Sequence, residues 1–184
     1  MGAVTVIIPA FNYGRFLSKA IDSALTQTYE SIECIVVDSG STDETPDILN
    51  RYEGQVKVIT LENRGPSVAR NAGIISANGE YIAFLDADDW WEPKKIEVQM
   101  QYFTEFPSIS AVGCGERQVS LDNCVIGTII PKQFTENLVD NLRAVAIRRL
   151  LVAGSTSGVM IRKDVFDNIG MFDESLIGAE DWDM

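Results

Sequence analysis

The sequence predicts an α/β protein whose central sheet is mostly parallel and carries helices on both faces. Two features of the first half of the chain indicate this fold class. Strand-like apolar runs alternate with helical patterns, and each run is continuously apolar instead of alternating with polar residues. Strands buried on both faces of a parallel sheet have this composition, because helices cover them above and below. The predicted strands are residues 4–8, 34–37, 56–61 and 81–85.

A helix is predicted after each of the first three strands. Apolar residues recur at helical spacing over residues 16–25. Pro46 suits the first turn of a second helix, since proline needs no hydrogen-bond partner there. A third helix is expected over residues 66–77, where the turn signal Asn78-Gly79 closes it.

The second half of the chain is less regular. Proline is tolerated in the first turn of a helix, so Pro93 is compatible with a helix over residues 92–106. The other predicted elements are a short strand at 111–115, a hairpin within 117–130, a helix over 136–151 and a strand at 159–162. No linker, repeat or low-complexity stretch interrupts the sequence, so residues 1–184 are expected to form a single domain.

The composition restricts the chemistry that this chain can perform. The 184 residues include no histidine, which excludes Ser-His-Asp triads, Cys-His pairs and His-ligated zinc. A carboxylate is therefore the expected base for proton transfer near neutral pH. The net charge of −12 argues against nucleic acid or an anionic membrane as the main partner.

Cysteine usage and hydropathy favour a cytoplasmic location. The three cysteines, Cys34, Cys114 and Cys124, are odd in number and widely spaced, as expected for reduced thiols. No apolar run reaches the roughly 18 residues that a membrane span needs. The first residues also lack the basic region of a secretory signal.

Aspartates follow two of the predicted strands directly. Asp38 ends the second strand, and Asp86 and Asp88 follow the fourth. In extended chain, alternate residues point the same way, so these last two are expected to share a ligand while Ala87 faces away. Neighbouring carboxylates repel unless a cation offsets them, and Mg²⁺ or Mn²⁺ prefers such oxygen ligands. The alternative is that the aspartates cap the next helix, above all Asp89.

Six short segments follow one another in an order typical of one enzyme family. They are residues 6–12, 36–43, 69–73, 79–89, 170–174 and 180–181, with the sequences VIIPAFN, VVDSGSTD, ARNAG, GEYIAFLDADD, GMFDE and ED. Each segment is weak evidence alone, but the ordered set is specific and covers almost the whole chain. The protein resembles an inverting family 2 glycosyltransferase with the GT-A fold.

The resemblance implies a site for a nucleotide-diphospho-sugar at the strand ends. Family positions that line this site match Pro9, Ala10, Phe11, Asp38, Asn63, Arg70, Asp86 and Ala87. Phe11 would face the base, and Asp38 would bind uracil or ribose. Asp86 would hold the ribose, and Arg70 would either stabilise the diphosphate or serve as a salt-bridged scaffold residue. The family usually has a second aspartate where this chain has Ser39, which leaves the choice of base open.

The resemblance also implies the reacting groups. Asp88 matches the metal ligand of the family's Asp-x-Asp motif, with Mn²⁺ or Mg²⁺ as the cofactor. Asp181 matches the catalytic base, which would deprotonate an acceptor hydroxyl during inversion at the sugar C1. Glu180 and Trp182 are candidates for contacts with the acceptor.

The implied function is sugar transfer to a saccharide or lipid-linked saccharide acceptor in cell-surface polysaccharide, cell-wall or glycolipid synthesis. A UDP-linked donor is favoured, and the enzyme would work in the cytoplasm or at the inner face of the membrane, attached through parts outside this chain. Residues 1–90 would form the nucleotide-sugar-binding half of the domain, and residues 91–184 the acceptor-side half. The latter is expected to be truncated, because the chain ends shortly after Asp181.

Other functions remain open at this stage. The chain could be a non-catalytic nucleotide-sugar-binding module or an inactive fragment, which assays of transfer against binding would decide. A phosphatase of the haloacid dehalogenase type also carries Asp-x-Asp, but needs Thr or Val at the position of Trp90. A nucleotidyltransferase would need a Gly-rich basic loop where residues 9–12 stand.

Overall fold

The computed structural model describes residues 2–62, 65–129 and 155–175. Its elements in chain order are β1 (Val4–Ala10), α1 (Gly14–Leu25), β2 (Ile32–Asp38), α2 (Thr45–Arg51), β3 (Lys57–Thr60), α3 (Pro66–Ser76), β4 (Tyr81–Phe84), α4 (Lys95–Glu105), β5 (Ala111–Val112), β6 (Glu116–Val119), β7 (Val125–Ile129), a 3₁₀ turn (Thr156–Gly158), β8 (Met160–Arg162) and α5 (Asp164–Ile169).

Six of the described strands form one sheet in the order β3-β2-β1-β4-β8-β5. The pairs β2–β3, β1–β2 and β1–β4 are parallel. Strand β8 runs antiparallel to both of its neighbours, β4 and β5. Strands β6 and β7 form a separate hairpin. The predicted mostly parallel α/β sheet and the predicted hairpin are therefore confirmed.

Helices cover both faces of the sheet, because successive strand residues point to opposite sides. On β1, Val6 belongs to one core cluster and Ile7 to the other. The first cluster includes apolar residues of α1, α2 and α4. The second includes residues of α3 and α5. Strand β1 contributes side chains to both cores, which is the reason for its continuously apolar sequence.

Helix α3 approaches β1 closely at one position. A Cβ atom added to Gly73 would overlap the side chain of Ile7, which is fully buried in the core. The glycine therefore brings α3 against the sheet, and the residues at the start of α3 are carried to the end of β1.

Helix α4 begins at Lys95, later than the predicted residue 92. The N–H of Thr28 donates to the carbonyl of Pro93 (2.9 Å), and the N–H of Lys95 donates to that of Glu92 (3.1 Å). These bonds hold the residues before α4 in a turn. Asp89 thus lies well before the helix, and the alternative that it caps this helix is wrong.

The second half contains shorter strands than predicted. Strand β5 has two residues, where five were expected. The predicted helix over residues 136–151 lies outside the described part of the chain. Within the described ranges, no helix is both long and apolar enough to cross a membrane.

Candidate functional site

A cavity of about 520 Å³ opens at the carboxyl ends of β1, β2 and β4. Ligands of open parallel sheets bind at this edge, beyond the strand ends. The cavity is lined by Pro9, Ala10, Phe11, Tyr13, Ser39, Gly65, Pro66, Ala69, Arg70, Asp86, Ala87 and Asp88. Most of the predicted donor-site residues within the described ranges are thus brought together here.

The loops after β1 and β2 are fastened to each other beside this cavity. Asn12 has a left-handed backbone (φ 57°), which asparagine tolerates better than most residues. Its N–H donates to Ser41 Oγ (2.9 Å), and its Oδ1 accepts from the N–H of Thr42 (2.8 Å). The N–H of Gly14 donates to Asp43 Oδ2 (2.9 Å). One rim of the cavity is therefore rigid before any ligand binds.

Asp38 is placed differently from Ser39, its neighbour. Asp38 Oδ1 accepts from the N–H and the hydroxyl of Ser41, at 3.0 and 2.5 Å. This carboxylate is almost fully buried and stabilises the turn after β2. Ser39 lines the cavity instead, and its N–H donates to the carbonyl of Ala10 (2.9 Å). A bound base would meet a neutral hydroxyl at this point.

The aspartate turn, residues 86–89, differs from the extended geometry that was predicted. Strand β4 ends at Phe84, and the N–H of Asp89 donates back to the carbonyl of Asp86 (3.0 Å). The backbone turns at Ala87 and Asp88 as a result. Ala87 borders the cavity together with both aspartates, and it is also a buried member of the core cluster that includes Val6.

Arg70 forms an ion pair with the first aspartate of this turn. Its Nη2 lies 3.0 Å from Asp86 Oδ1, and the two side chains are 4% and 27% exposed. The same Nη2 donates to Thr156 Oγ1 (3.2 Å), which itself lies 3.3 Å from Asp86 Oδ2. Ser157 Oγ accepts from the N–H of Asp86 (3.0 Å). These contacts hold Asp86 in place, whereas Asp88 is exposed to solvent.

Negative charge accumulates on the far side of the aspartate turn. Burial raises the pKa of Asp89, and the carboxylates of Asp86 and Asp88 raise it further. Burial also raises the pKa of Glu116, as do Asp89 and Asp86. Ser155 opposes this by donating its N–H and its hydroxyl to Glu116 Oε1, at 2.9 and 3.1 Å. These carboxylates thus repel one another, and a cation bound among them would relieve the repulsion.

The donor atoms at the turn suit a divalent metal that takes most of its ligands from elsewhere. Among the described residues, no group of three or more Asp, Glu, Cys or His side chains could hold a metal by itself. Mg²⁺ is commonly held by one or two carboxylates, with substrate phosphates and water completing its shell. Asp88 offers one such carboxylate, exposed at the cavity. The residues present therefore fit a metal carried with a diphosphate.

Four predicted site residues lie outside the described part of the chain: Asn63, Glu180, Asp181 and Trp182. The structure also adds residues to the site that the sequence did not reveal. Tyr13 lines the cavity next to Phe11, and Thr156 contacts the Arg70–Asp86 ion pair. The Ser-Thr-Ser run at residues 155–157 could have indicated Thr156, but from the sequence alone this run predicts only a loop before a strand.

The fold and the cavity define an α/β protein with a candidate ligand site at the carboxyl ends of its parallel strands. The sequence model of "Glycosyl transferase family 2" matches residues 5–170. The chain belongs to this family and has its GT-A fold. This confirms the membership that the ordered segments indicated.

Relatives and solved structures agree with this assignment. An uncharacterized glycosyltransferase of Rickettsia prowazekii is 34% identical over 182 residues, which are 98% of this chain and 57% of the relative. Glycosyltransferase GlyA of Streptococcus pneumoniae is 39% identical over 113 residues, 60% of this chain and 16% of that protein. The chain therefore spans little more than half the length of the Rickettsia relative.

Two solved structures share the fold over 98% of this chain. One is S. aureus TarS 1-349 in complex with UDP, with a TM-score of 0.77, 24% identity and 53% of that chain covered. The other is the mannosyltransferase PcManGT from Pyrobaculum calidifontis in complex with GDP-Man and Mn²⁺, with a TM-score of 0.71, 22% identity and 50% covered.

Proposed function

We propose that this chain is the catalytic domain of an inverting, metal-dependent glycosyltransferase that uses a nucleotide-diphospho-sugar, with UDP as the favoured carrier. The observation that carries the proposal is the cavity at the carboxyl ends of β1, β2 and β4, with the aspartate turn in its wall. The complexes of TarS with UDP and of PcManGT with GDP-Man and Mn²⁺ support the same ligand class.

The donor would lie along the cavity from the aromatic end to the aspartate turn. Phe11 and Tyr13 are 39% and 42% exposed, and both line the cavity, so either ring can stack on a base. Pro9 and Ala10 line the same end. Asp38 would contribute to binding of the base indirectly, because it stabilises the turn that places Ser39 at the cavity.

The diphosphate would then reach the aspartate turn. Asp86 would hold the ribose in the orientation that Arg70 fixes, and Ala87 and Asn63 would be further contacts of the donor. Asp88 would be the protein ligand of Mn²⁺ or Mg²⁺. The cation supplies Lewis-acid stabilisation to the charge that develops on the departing β-phosphate.

The transfer step would need one proton acceptor. Asp181 would take the proton of the acceptor hydroxyl as this oxygen attacks C1 from the side opposite the departing phosphate. Glu180 and Trp182, its neighbours, would contact the acceptor. The chain contains no histidine, which makes a carboxylate base the consistent choice.

The biological setting completes the proposal. The acceptor would be a saccharide or lipid-linked saccharide, and the product a cell-surface polysaccharide or glycolipid made at the cytoplasmic face of the membrane. Residues 1–90 would bind the donor, and residues 91–184 would begin the acceptor side of the same single domain. The net charge of −12 supports a small-molecule donor over nucleic acid.

Donor binding is tested by calorimetric titration of UDP with Mn²⁺ and with EDTA. We expect metal-dependent binding, which Asp88→Asn weakens more than tenfold because the cation loses its protein ligand. The matched control is Asp122→Asn, which removes an exposed carboxylate of the hairpin. Undetectable binding of UDP under both conditions would refute UDP as the donor nucleotide.

Transfer is tested with a UDP-sugar and an acceptor panel, with the anomeric configuration of the product read by NMR. Asp181→Asn should abolish transfer and spare UDP binding, whereas the control Asp183→Asn should leave both transfer and UDP binding unchanged. A normal rate in Asp181→Asn would refute the assigned base. Binding without any transfer would favour a non-catalytic nucleotide-sugar-binding module. Ser39 is relevant to this alternative, because it lines the cavity where the family usually has an aspartate.

A further inference from the structure

Asn71 is a buried polar residue in the interior of helix α3. Asn71 is 4% exposed and is not among the residues that line the donor cavity. Asparagine is a poor helix former, and burying an amide costs free energy unless the amide is hydrogen-bonded. A residue of this kind at such a position needs specific partners.

Those partners lie 101 positions later in the chain, after α5. Asn71 Nδ2 donates to the carbonyl of Phe172 (2.9 Å), and Asn71 Oδ1 accepts from the N–H of Phe172 (3.0 Å). Nδ2 also donates to Glu174 Oε1 (3.1 Å). The side-chain amide thus pairs with both polar groups of one backbone residue, as a neighbouring strand would, and fixes that residue in position and direction.

The side chain of Phe172 is held as firmly as its backbone. It is 3% exposed, and its ring packs edge-on against Phe84 at 5.5 Å between centroids, with planes at 84°. The guanidinium carbon of Arg70 lies 5.5 Å from the same ring. Phe84 is the last residue of β4, so this packing joins Phe172 to the strand that leads into the aspartate turn.

Two adjacent residues of α3 therefore hold two different parts of the site. Arg70 fixes Asp86 of the aspartate turn, and Asn71 fixes Phe172. The chain runs from Phe172 and Glu174 towards Asp181, the proposed base. Helix α3 therefore supports both the aspartate turn and the segment from Phe172 to Glu174, which precedes the proposed base in the sequence.

We propose that Asn71 is a positioning residue for sugar transfer, which sets the segment from Phe172 to Glu174, and through it Asp181, relative to the aspartate turn. The inference rests on the proposed function, because it takes Asp181 as the base. Asn71 touches neither donor nor metal in this scheme. It acts on the reaction only through the backbone that it holds.

The physical consequence is a loss of rate without a loss of donor affinity. A displacement of about 1 Å in a reacting group can cost roughly a hundredfold in rate, since attack requires close alignment. The donor cavity is built from other residues, so binding of UDP and Mn²⁺ should be unaffected. We expect kcat to fall about thirtyfold or more in Asn71→Ala, with the KM for the donor within threefold of wild type.

The experiment compares Asn71→Ala and Asn71→Asp with Asn78→Ala as a matched control. Asn78 also donates a side-chain hydrogen bond, from Nδ2 to Glu33 Oε1 (2.6 Å), and its backbone N–H donates to Glu33 Oε2 (2.9 Å), but it lies at the opposite end of β4. Its replacement should leave kcat within twofold of wild type. Asn71→Asp has nearly the same shape and can still accept from the N–H of Phe172. Its second carboxylate oxygen would face the carbonyl of Phe172 and Glu174 Oε1, which accept from Nδ2 in the wild type, so a kcat no higher than that of Asn71→Ala is expected.

Three measurements accompany the rates: UDP affinity, thermal unfolding and hydrogen exchange of the Phe172 amide. We expect faster exchange at Phe172 in both Asn71 variants at unchanged UDP affinity. A kcat in Asn71→Ala equal to that of Asn78→Ala would overturn the proposal. So would a parallel loss of kcat and UDP affinity in folded Asn71→Asp, because that pattern indicates a general effect on the fold.

The two proposals fail in different ways. If the wild-type chain transfers no sugar, or Asp181→Asn transfers it normally, the proposed function fails and this inference falls with it. If Asp181→Asn is inactive while both Asn71 variants transfer at the wild-type rate, the proposed function stands and only the positioning role is refuted.

Discussion

Lys95 should make the folded protein less stable at low pH than at high pH. Lys95 is the first residue of α4 and is 9% exposed, and its Nζ lies 3.7 Å from the centroid of the Trp91 ring. Among the described residues, this ammonium has no hydrogen-bond partner. Burial lowers the pKa of Lys95 to about 7, although Cys114 and Glu116 raise it slightly. The folded state thus releases a proton that the unfolded state keeps.

The size of the effect follows from the pKa in the two states. Below pH 7 both states carry the charge, and the folded state bears its full burial cost. Above pH 7 the unfolded chain binds more protons, so stability rises with pH at about 1.4 kcal/mol per unit. From the folded pKa of about 7, Lys95 should add about 2–3 kcal/mol to the free energy of unfolding between pH 6 and pH 9.

The assay is urea unfolding of wild type and Lys95→Met at pH 6, 7.5 and 9. Methionine fills a similar volume without a charge, so the variant should lack this increase and be the more stable protein at pH 6. Lys94→Met is the matched control, since Lys94 is exposed one position earlier. Burial raises the pKa of the Cys114 thiol. The reasoning is refuted if Lys95→Met keeps the wild-type pH dependence.

Two further predictions concern stability and are read by the same urea assay at constant pH. Gly73→Ala should destabilise the fold by about 1–3 kcal/mol, because the new methyl group meets the fully buried Ile7, and overpacking outweighs the better helix propensity. An equal or higher stability would show that Ile7 moves aside freely. Asn12→Ala should cost about 1–2 kcal/mol, since it loses the bond from Thr42 and keeps a left-handed backbone. Asn12→Gly should lose less, and equal losses would contradict the role of the backbone conformation.

The sequence predicted those features of the fold that depend on local pattern. The strand at Val4–Ala10 could be recognised because both faces of the sheet are covered, which requires apolar side chains throughout. The turn at Asp86 was missed because an Asp-x-Asp pattern is compatible with extended chain and with a turn. The backbone hydrogen bond from the N–H of Asp89 to the carbonyl of Asp86 decides for the turn, and this bond does not depend on the type of side chain.

Contacts between distant parts of the chain could not be predicted from local sequence patterns. Arg70 and Thr156 are 86 positions apart, and their hydrogen bond depends on β8 pairing beside β4. The sequence therefore left Arg70 between a ligand contact and a scaffold residue. In the structure Arg70 pairs with Asp86 and also lines the cavity, so both roles stay open. Asn71 and Phe172 were likewise only parts of separate motifs until the fold joined them.

The place of β8 in the sheet sets an order of events during protein synthesis. The parallel unit β3-β2-β1-β4 uses only residues up to Phe84, so it can assemble while the rest of the chain is still on the ribosome. The supports of Asp86 at Thr156 and Ser157 are translated much later. A nascent chain would thus present the cavity wall of Pro9, Ala10 and Phe11 but an unsupported aspartate turn. Under the proposed function, the diphosphate end of the site would be completed last, after β8 has paired with β4.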